Sequence, residues 1–362
     1  MKAVLAGGGS AGHVSPLLAL ADRLVADDPA TEIVALGTRS GLEARLVPAR
    51  GYRLHPVPKV PLPRRPSLNL VRLPGNLRGA VRAARRAIEE IGADVVVGFG
   101  GYVAAPAYLA ARQAKVPIVV HEQNSRPGFA NRLGARLTRY VAVSFPGTPL
   151  RHAVRTGLPL RSEIVALRPE AIRPAARASF GLDAAPTTLL VFGGSLGAQR
   201  LNEVLPELAA DLRAAGVQVL HVSGAGKQVR VADSGSPPRY VAVDYVDHME
   251  LAYAAADFVV GRAGANTVSE LTALGLPAVY VPLPVGNGEQ RLNAEPVVAA
   301  GGGLLVADAE LTPGWLRANL LPLLADEQRR RTMGEAARGF GRLDADRELA
   351  DLVRAAIAGG SR

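Results

Sequence analysis

The stretch KAVLAGGGSAGHVSPLLALADRL, residues 2–24, decides the fold of this chain. A largely apolar run at Lys2–Ala6 is followed by three glycines and then by apolar residues at helical spacing from about Val14. Short apolar runs that end in glycine are typical of buried strands, and Pro16 is tolerated if it lies in the first turn of the helix. The stretch therefore predicts a strand, a glycine turn and a helix, which is the building unit of a parallel α/β fold.

The same alternation recurs along the chain and restarts after residue 160. The predicted strands are Lys2–Ala6, Glu32–Leu36, Val95–Gly98 and Pro117–His121, and then Thr187–Phe192, Val217–Val222, Tyr240–Val243, Asp257–Val260 and Ala278–Val281. Strands that alternate with helices indicate parallel sheets covered by helices, so we expect an α/β protein with two doubly wound domains facing each other across a cleft. The expected boundaries are 1–160, 161–340 and a terminal segment 341–362, with a helix from about Asp344 to Ala358.

Composition excludes several classes of protein. The 362 residues are 48% hydrophobic and contain no cysteine, which excludes a disordered chain, a disulfide framework and a cysteine-ligated metal centre. The N-terminus lacks the pattern of a signal peptide. The uncharged stretch Val95–Ala111 is interrupted by glycines and a proline, so it predicts a strand, a turn and a helix rather than a membrane span. We therefore expect a cytoplasmic protein without a transmembrane anchor.

The positive charge is concentrated in the first half of the chain. Residues 1–160 hold 22 lysines and arginines against 9 acidic residues, a net charge of +13, whereas the remainder has a net charge of −3. The stretch Lys59–Arg86 contains eight basic residues and no acidic one. Such a surface attracts nucleic acid, anionic lipid or a phosphorylated substrate. A general compositional bias toward arginine is the simpler interpretation, but it does not explain why the second half is spared.

Four glycine-rich turns follow predicted strands, at residues 7–13, 98–102, 193–197 and 261–265. Glycine lets the backbone approach a ligand closely, and free N–H groups at a helix start favour an anion. The first turn matches neither the G-x-x-x-x-G-K-[ST] pattern of P-loop NTPases nor a clean dinucleotide fingerprint. Four such turns, divided between two domains, predict a cleft that holds phosphates from both sides.

Polar side chains mark further strand ends. His121–Asn124 follows an apolar run, where four polar residues are poorly explained by packing. Glu270 lies in the helix after the fourth glycine turn and could accept both hydroxyls of a ribose, although a solvated helix carboxylate is an equal alternative. Gln290 and Asn293 lie three residues apart at a helix start and could bind sugar hydroxyls or form a plain N-terminal cap.

Together these motifs resemble one family, the bacterial MurG glycosyltransferases, which add N-acetylglucosamine (GlcNAc) to the lipid-linked muramyl pentapeptide of cell-wall synthesis. The resemblance spans nearly the whole chain and is closest to the high-GC Gram-positive branch. The motifs that carry it are GGGSAGH at 7–13, GFGGYVAAP at 98–106, HEQNSRPGFANR at 121–132, GGSLGAQRLNE at 193–203, GRAGANTVSEL at 261–271 and GNGEQRLNA at 286–294.

The resemblance implies the GT-B architecture, two facing Rossmann-like domains with an interdomain cleft. The first domain would bind lipid I, the second UDP-GlcNAc, and the C-terminal helix would return to the first. The donor-site residues carried over are Ser10, Ala11, Gly12, Asn124, Arg161, Ser195, Val246, Glu270 and Gln290, to which Asn293 is added from the helix pattern. Acceptor contacts are expected at Gly100, Gly101 and Tyr102. Many family members carry threonine and glycine at positions 10 and 11. They also have an aspartate–arginine–glutamine run, whereas the stretch before Gln290 in this chain is Gly286-Asn287-Gly288-Glu289.

The implied reaction is an inverting displacement at the anomeric carbon of the donor sugar. A base removes the proton of the acceptor's C4 hydroxyl, and His13, with an expected pKa near the operating pH, is the first candidate, followed by Glu122. Backbone N–H groups and a helix N-terminus would stabilise the leaving diphosphate without a metal or other cofactor. The Asp344-x-Asp346 pair is interpreted as a helix N-terminal charge pattern.

The resemblance also suggests a partner for the basic stretch Lys59–Arg86. Leucines alternate with its arginines, which suits an anionic membrane surface, and we expect the cytoplasmic face of the cell membrane to be bound peripherally through Arg64, Arg65, Leu68, Leu70, Arg72 and Leu73. Three alternatives stay open: a natural-product glycosyltransferase of the same fold, a UDP-GlcNAc 2-epimerase, and a nucleic-acid binding module. Nucleic acid is the least expected partner because aromatic residues make up only 4% of the chain and form no stacking platform.

Overall fold

The computed structural model describes residues 1–60, 68–194, 198–231 and 236–360, with backbone alone at 11 and 68–73. Two compact units are present. Unit 1 contains Met1–Arg161 together with the C-terminal segment from Arg342, and unit 2 contains Ser162–Gly341.

Unit 1 is an α/β layer structure on a parallel sheet. Its strands are β1 (Lys2–Ala6), β2 (Glu32–Gly37), β3 (Arg53–Pro56), β4 (Val95–Gly98), β5 (Ile118–Glu122), β6 (Tyr140–Val143) and β7 (Ala153–Arg155). The helices that lie between these strands in the chain are α1 (Ala11–Asp27), α2 (Glu43–Ala49), α3 (Leu68–Ile91), α4 (Ala104–Ala114) and α5 (Phe129–Gly134). The strand order in the sheet is β3-β2-β1-β4-β5-β6-β7.

This order reverses direction at β1, which pairs with β2 on one side and with β4 on the other. Ala6, the last residue of β1, is in register with Leu36 and with Gly98. The turns that follow β1, β4 and β5 therefore emerge side by side at the carboxyl edge of the sheet. Ligands of open α/β sheets bind outside this edge, at the point where the strand order reverses.

Unit 2 repeats the plan on a second parallel sheet. Its strands are β8 (Thr187–Phe192), β9 (Val217–Val222), β10 (Tyr240–Val243), β11 (Phe258–Gly261), β12 (Ala278–Tyr280) and β13 (Gly303–Leu305), in the order β10-β9-β8-β11-β12-β13. The α-helices are α6 (Ser162–Val165), α7 (Pro169–Ser179), α8 (Gln199–Val204), α9 (Ala209–Ala214), α10 (Met249–Ala255), α11 (Ala265–Leu274), α12 (Glu289–Ala299), α13 (Pro313–Asn319), α14 (Leu321–Ala325) and α15 (Glu327–Phe340). Here the reversal lies between β8 and β11.

The last helix, α16 (Ala345–Gly360), packs on unit 1. Leu349, Val353 and Ala356 recur at helical spacing and are fully buried, in one core cluster with Leu20 of α1. Arg354 of α16 also pairs with Asp27 at the end of α1. The central strands are buried on both faces, as the continuous apolar runs predict, with α3 and α4 covering one face of the sheet and α1 and α16 the other.

The predicted α/β class with two Rossmann-like units is confirmed, and all nine predicted strands are present within two residues of their expected ends. Four strands were missed, namely β3, β6, β7 and β13. The helix start near Val14 is wrong, because α1 begins at Ala11, so that Pro16 lies in its second turn rather than its first. None of the helices formed by the described residues is both long and apolar enough to cross a bilayer.

Candidate active site

His13 lies in the first turn of α1, directly after the glycine turn, and its side chain is half-buried. Its Nδ1 atom is 2.8 Å from Ser10 Oγ. On the other side of the ring, a Cβ atom placed on Gly100 would lie 3.1 Å from Nε2. The imidazole is therefore held between the residue that precedes α1 and the glycine turn that follows β4.

The environment of His13 differs from the expectation in one respect. Burial lowers the pKa of the imidazole to about 4, although the Glu43 carboxylate acts in the opposite direction. The expected near-neutral pKa is wrong, because partial removal of a cationic imidazolium from water outweighs the nearby negative charge. His13 is consequently neutral at pH 7 and able to accept a proton.

The Gly7–Gly9 turn is closed by Glu43 of α2, which sequence reasoning missed. Its buried carboxylate accepts hydrogen bonds from Gly9 N at 2.9 Å, from Thr38 N at 2.8 Å and from Thr38 Oγ1 at 2.7 Å. Burial alone would raise the pKa of Glu43, but these hydrogen bonds lower it. The Gly9 N–H is thus engaged by an anion of the protein itself. Phosphate binding by the rest of this turn stays a prediction.

Gly100 and Gly101 follow β4 and face the first turn. Both have positive φ, 93° and 76°. A Cβ atom on Gly101 would lie only 2.5 Å from the carbonyl oxygen of Gly8. The two turns can approach this closely only because side chains are absent, which explains why the chain has glycine at both positions.

Tyr102 stands at the end of the second turn, and its side chain is 43% exposed. The ammonium group of Lys59 lies 4.8 Å from the centre of its ring, a cation–π contact. The first residue of the basic stretch is therefore part of the same edge of the sheet. Within the described residues this is the contact that links the basic stretch to the predicted acceptor residues.

Glu122, at the end of β5, is buried and uses both carboxylate oxygens within the protein. Asn124 N donates to Oε1 at 2.9 Å, and Gly128 N and Asn131 Nδ2 donate to Oε2 at 2.9 and 3.0 Å. Burial raises the pKa of this carboxyl against the effect of these bonds. Asn131 in turn accepts from Tyr108. This arrangement fixes the turn after β5, including the half-buried Asn124.

In unit 2, Glu270 lies on α11, which follows the glycine turn at residues 261–265. The interpretation as a solvated helix carboxylate is wrong, because Glu270 is only 8% exposed. Its Oε2 accepts a hydrogen bond from Tyr253 of α10 at 2.7 Å. The Tyr253 ring packs edge-on against Phe192, with ring centres 6.0 Å apart. Tyr253 was missed by sequence reasoning, since nothing in its local sequence distinguishes it from a core tyrosine.

The two amides at the start of α12 have different surroundings. Gln290 is half-buried, and its Oε1 accepts from Leu283 N at 3.0 Å. Asn293 is fully buried and donates to the carbonyl oxygen of Ala263, 3.4 Å away, in the turn before α11. Asn293 therefore contacts the glycine turn, whereas Gln290 orders the loop that precedes its own helix.

The remaining predicted residues are more scattered. Val246, in the segment between β10 and α10, has a buried side chain, and Arg161 is half-buried at the end of unit 1. Gly12 lies in the first turn of α1 beside Ala11, and Ser195 lies outside the described residues. Arg64 and Arg65 also lie outside them. Leu68, Leu70, Arg72 and Leu73 fall in the part of α3 of which the structure describes the backbone alone.

Two further features bear on the chemistry. In the described part of the chain, no group of three or more histidine or acidic side chains converges in a way that could hold a metal ion. The Asp344-x-Asp346 pair lies at the start of α16, where Asp344 is bonded to Arg342. This position agrees with the interpretation of the pair as a helix N-terminal charge pattern.

Comparisons with known proteins identify the family. The N-terminal domain model of glycosyltransferase family 28 matches residues 3–143, and the C-terminal domain model matches residues 188–350. The UDP-N-acetylglucosamine–N-acetylmuramyl-(pentapeptide) pyrophosphoryl-undecaprenol N-acetylglucosamine transferases of Streptomyces avermitilis and Streptomyces coelicolor are both 57% identical, covering 100% of each chain.

Solved structures agree with this result. MurG of Acinetobacter baumannii is 30% identical, with a TM-score of 0.78 over 98% of this chain and 100% of that one. A calicheamicin glycosyltransferase, 19% identical with a TM-score of 0.67, covers 100% of both chains and shares the fold alone. The predicted resemblance is therefore confirmed: this chain is a glycosyltransferase of family 28 and belongs to the MurG family.

Proposed function

We propose that the chain transfers GlcNAc from UDP-GlcNAc to the C4 hydroxyl of the muramyl sugar of lipid I, with inversion at the anomeric carbon, and so forms lipid II. The names of its full-length relatives describe transfer of N-acetylglucosamine between this donor and this acceptor. The observation that carries the proposal is the position of the His13 imidazole, which contacts Ser10 Oγ at 2.8 Å and lies against a turn of two positive-φ glycines at the point of sheet reversal. A proton acceptor held in this way is what attack by a sugar hydroxyl requires.

His13 acts as the base through Nε2 in this proposal. A neutral imidazole accepts a proton only at the nitrogen that carries none, so Nδ1 must bear the hydrogen and donate it to Ser10 Oγ, 2.8 Å away. Ser10 then fixes both the tautomer and the orientation of the ring. Glu122, with both oxygens bonded to its own loop, is assigned a positioning role for Asn124 and Asn131.

Unit 2 binds the donor. The Glu270 carboxylate, oriented by Tyr253, accepts hydrogen bonds from the ribose hydroxyls, and the start of α11 lies beside it to stabilise negative charge. Gln290 contacts the donor sugar, and the Val246 backbone contacts uracil. Asn293 serves this site through the Ala263 carbonyl. Contacts from Ser10, Ala11, Gly12, Asn124, Arg161 and Ser195 to the donor stay predictions.

Unit 1 binds the acceptor. Gly100 and Gly101 let the acceptor approach the imidazole, and Tyr102 supplies an exposed ring beside them. The Lys59 ammonium over that ring places a positive charge where the acceptor's diphosphate can be neutralised. Removing the Lys59 ammonium group should therefore weaken binding of the acceptor more than binding of the donor.

The test is transfer of labelled GlcNAc from UDP-GlcNAc to a lipid I analogue. His13→Gln should lower kcat by about 10²–10⁴-fold, the usual contribution of a general base, with little change in KM for UDP-GlcNAc. Glu270→Ala should instead raise the donor KM. His152→Asn is the matched control, since this exposed histidine of unit 1 has a φ of 58° that asparagine tolerates.

Three results would count against the proposal. Full activity of His13→Gln would remove His13 as the base. Conversion of UDP-GlcNAc without an acceptor would favour the epimerase. Transfer to small aglycones in preference to the lipid I analogue would favour the natural-product enzyme.

We further propose that the protein binds the cytoplasmic face of the cell membrane as a peripheral protein. In the part of α3 with described side chains, Arg78, Arg82, Arg85 and Arg86 are exposed, while Val81 and Ile88 face the core. Upstream in the sequence, the basic stretch contains further leucines and arginines. Apolar residues among cations suit an anionic bilayer.

Charge reversal tests this surface. Replacing Arg64, Arg65 and Arg72 by glutamate should weaken binding to anionic vesicles by more than about a hundredfold, since loss of three basic residues removes about 3 kcal/mol and the new carboxylates are repelled by the surface. Replacing the exposed Arg291, Arg329 and Arg331 of unit 2 is the control and should leave binding unchanged. Equal vesicle binding by the first variant and the wild type would refute the assignment.

A further inference from the structure

An acidic residue of α2, Glu43, is buried beside the turn that carries the candidate base. Glu43 is fully buried, and three glycines make room for it. A Cβ atom on Gly8 would lie 2.6 Å from its Oε1, and Cβ atoms on Gly37 and Gly41 would overlap its side chain. Two segments, the turn after β1 and the end of β2 with the turn that follows it, thus have glycine where a side chain would collide with this acidic group.

The carboxylate is bonded to both turns of this corner of the sheet. It accepts from Gly9 N on one side, at 2.9 Å, and from Thr38 N and Thr38 Oγ1 on the other. Gly9 is followed directly by Ser10, which contacts His13 Nδ1 at 2.8 Å. A short covalent and hydrogen-bonded path therefore runs from Glu43 to the imidazole.

We propose that Glu43 is a positioning residue for glycosyl transfer, which holds the Gly7–Ser10 turn in place and stabilises the imidazolium that forms when His13 takes the acceptor's proton. The inference rests on the proposed function. The proton moves from the acceptor hydroxyl to His13 Nε2 as the acceptor oxygen bonds to the anomeric carbon and UDP leaves. His13 thereby gains a positive charge in a partly desolvated site, where an adjacent anion is favourable.

The other charges at this site do not take the same part. The Lys59 ammonium contacts the Tyr102 ring, and the Glu122 carboxylate is bonded to Asn131. Of the charged side chains, Glu43 is the one whose negative charge raises the pKa of His13. The bonds to Gly9 and Thr38 keep Glu43 itself ionised, because they lower its pKa.

The test compares Glu43→Gln, which keeps the size and removes the charge, with Asp94→Asn. Asp94 also accepts a backbone N–H, from Lys2 at 2.7 Å, but lies at the opposite end of the sheet. Glu43→Gln should lower kcat at least tenfold with the KM for UDP-GlcNAc unchanged, and the NMR titration midpoint of the His13 ring should fall below the wild-type value. Asp94→Asn should change neither quantity, and Glu43→Asp should recover part of kcat.

Wild-type kcat and an unshifted His13 titration in Glu43→Gln would overturn the proposal. If that variant does not fold, Thr38→Val decides, because it removes one hydrogen bond to Glu43 and keeps the charge. A severalfold loss of kcat at unchanged donor KM is expected, and wild-type kcat would overturn the proposal. Should the wild type not transfer GlcNAc at all, the proposed function fails, whereas the NMR titration still reports whether Glu43 acts on His13.

Discussion

Substitution of Gly101 by alanine tests the contact between the two glycine turns of unit 1. The residue has a φ of 76°, where an L-residue other than glycine is less stable by about 1–2 kcal/mol. The new Cβ atom would also lie 2.5 Å from the Gly8 carbonyl oxygen, a backbone atom that cannot rotate away. The turns must separate by several tenths of an ångström, so we expect a total destabilisation of about 2–4 kcal/mol.

The consequence for activity follows from the position of His13 between these turns. A displacement approaching 1 Å at a reacting group can lower the rate by about a hundredfold. We expect Gly101→Ala to lower kcat by about that factor in the labelled transfer assay. UDP binding, measured by calorimetry, should be unchanged because the predicted donor residues Glu270 and Gln290 lie in unit 2.

Stability and a matched variant complete this test. The melting temperature of unit 1 should fall by about 5–15 °C, given about 2–4 °C per kcal/mol for a unit of this size. Gly79→Ala is the control, since Gly79 is exposed on α3, has open space around it and should gain up to about 1 kcal/mol of helix stability. The reasoning is refuted if Gly101→Ala retains the wild-type kcat and melting temperature.

Two further predictions concern unit 2 and pH. Tyr253→Phe removes the 2.7 Å hydrogen bond to Glu270 and should raise the donor KM about three- to tenfold with kcat little changed. The control Tyr240→Phe loses a 2.8 Å hydrogen bond to His221 and should leave the donor KM unchanged. Equal effects of the two substitutions on the donor KM would contradict the role assigned to Tyr253. Burial lowers the pKa of His121 and of His221 from 6.5 to about 4. The unfolded chain therefore binds protons that the folded one does not, and the stability that is fully present above about pH 6.5 should decline as pH falls toward 4, by up to about 3 kcal/mol for each histidine. Urea unfolding at pH 7.5, 5.5 and 4.5 measures this, and a pH-independent midpoint would contradict it.

The fold was largely predictable because its central strands are buried on both faces. A strand such as β4 must be a continuous apolar run, and this pattern is visible without any tertiary information. Of the strands that were missed, β3, β7 and β13 lie at sheet edges or near them, where partial exposure removes the apolar signal. The glycine turns were also predictable from the sequence, because close approach of two backbone segments requires glycine at the point of contact.

The candidate site was predictable in its motifs and not in its supporting contacts. His13, Gly100 and Glu270 stand in recognisable strings, whereas Glu43 and Tyr253 are ordinary residues on helices distant in sequence. Their roles depend on hydrogen bonds to Gly9 and Glu270, which no local pattern encodes. The His13 pKa was misjudged for a related reason, because burial is a property of the surrounding elements.

By itself, the sequence determined the α/β class, the two-unit organisation of the strands, the four glycine turns and the uneven charge, because each follows from local periodicity or composition. The resemblance implied that the C-terminal helix returns to the first domain, but only the tertiary structure showed which helix it packs against and how the active-site corner is held. The apolar face of α16 could have packed against either sheet, and it lies against α1 because Leu349 and Val353 complete that core. Only the folded chain brings the turn after β1 and the turn after β2 together around the Glu43 carboxylate.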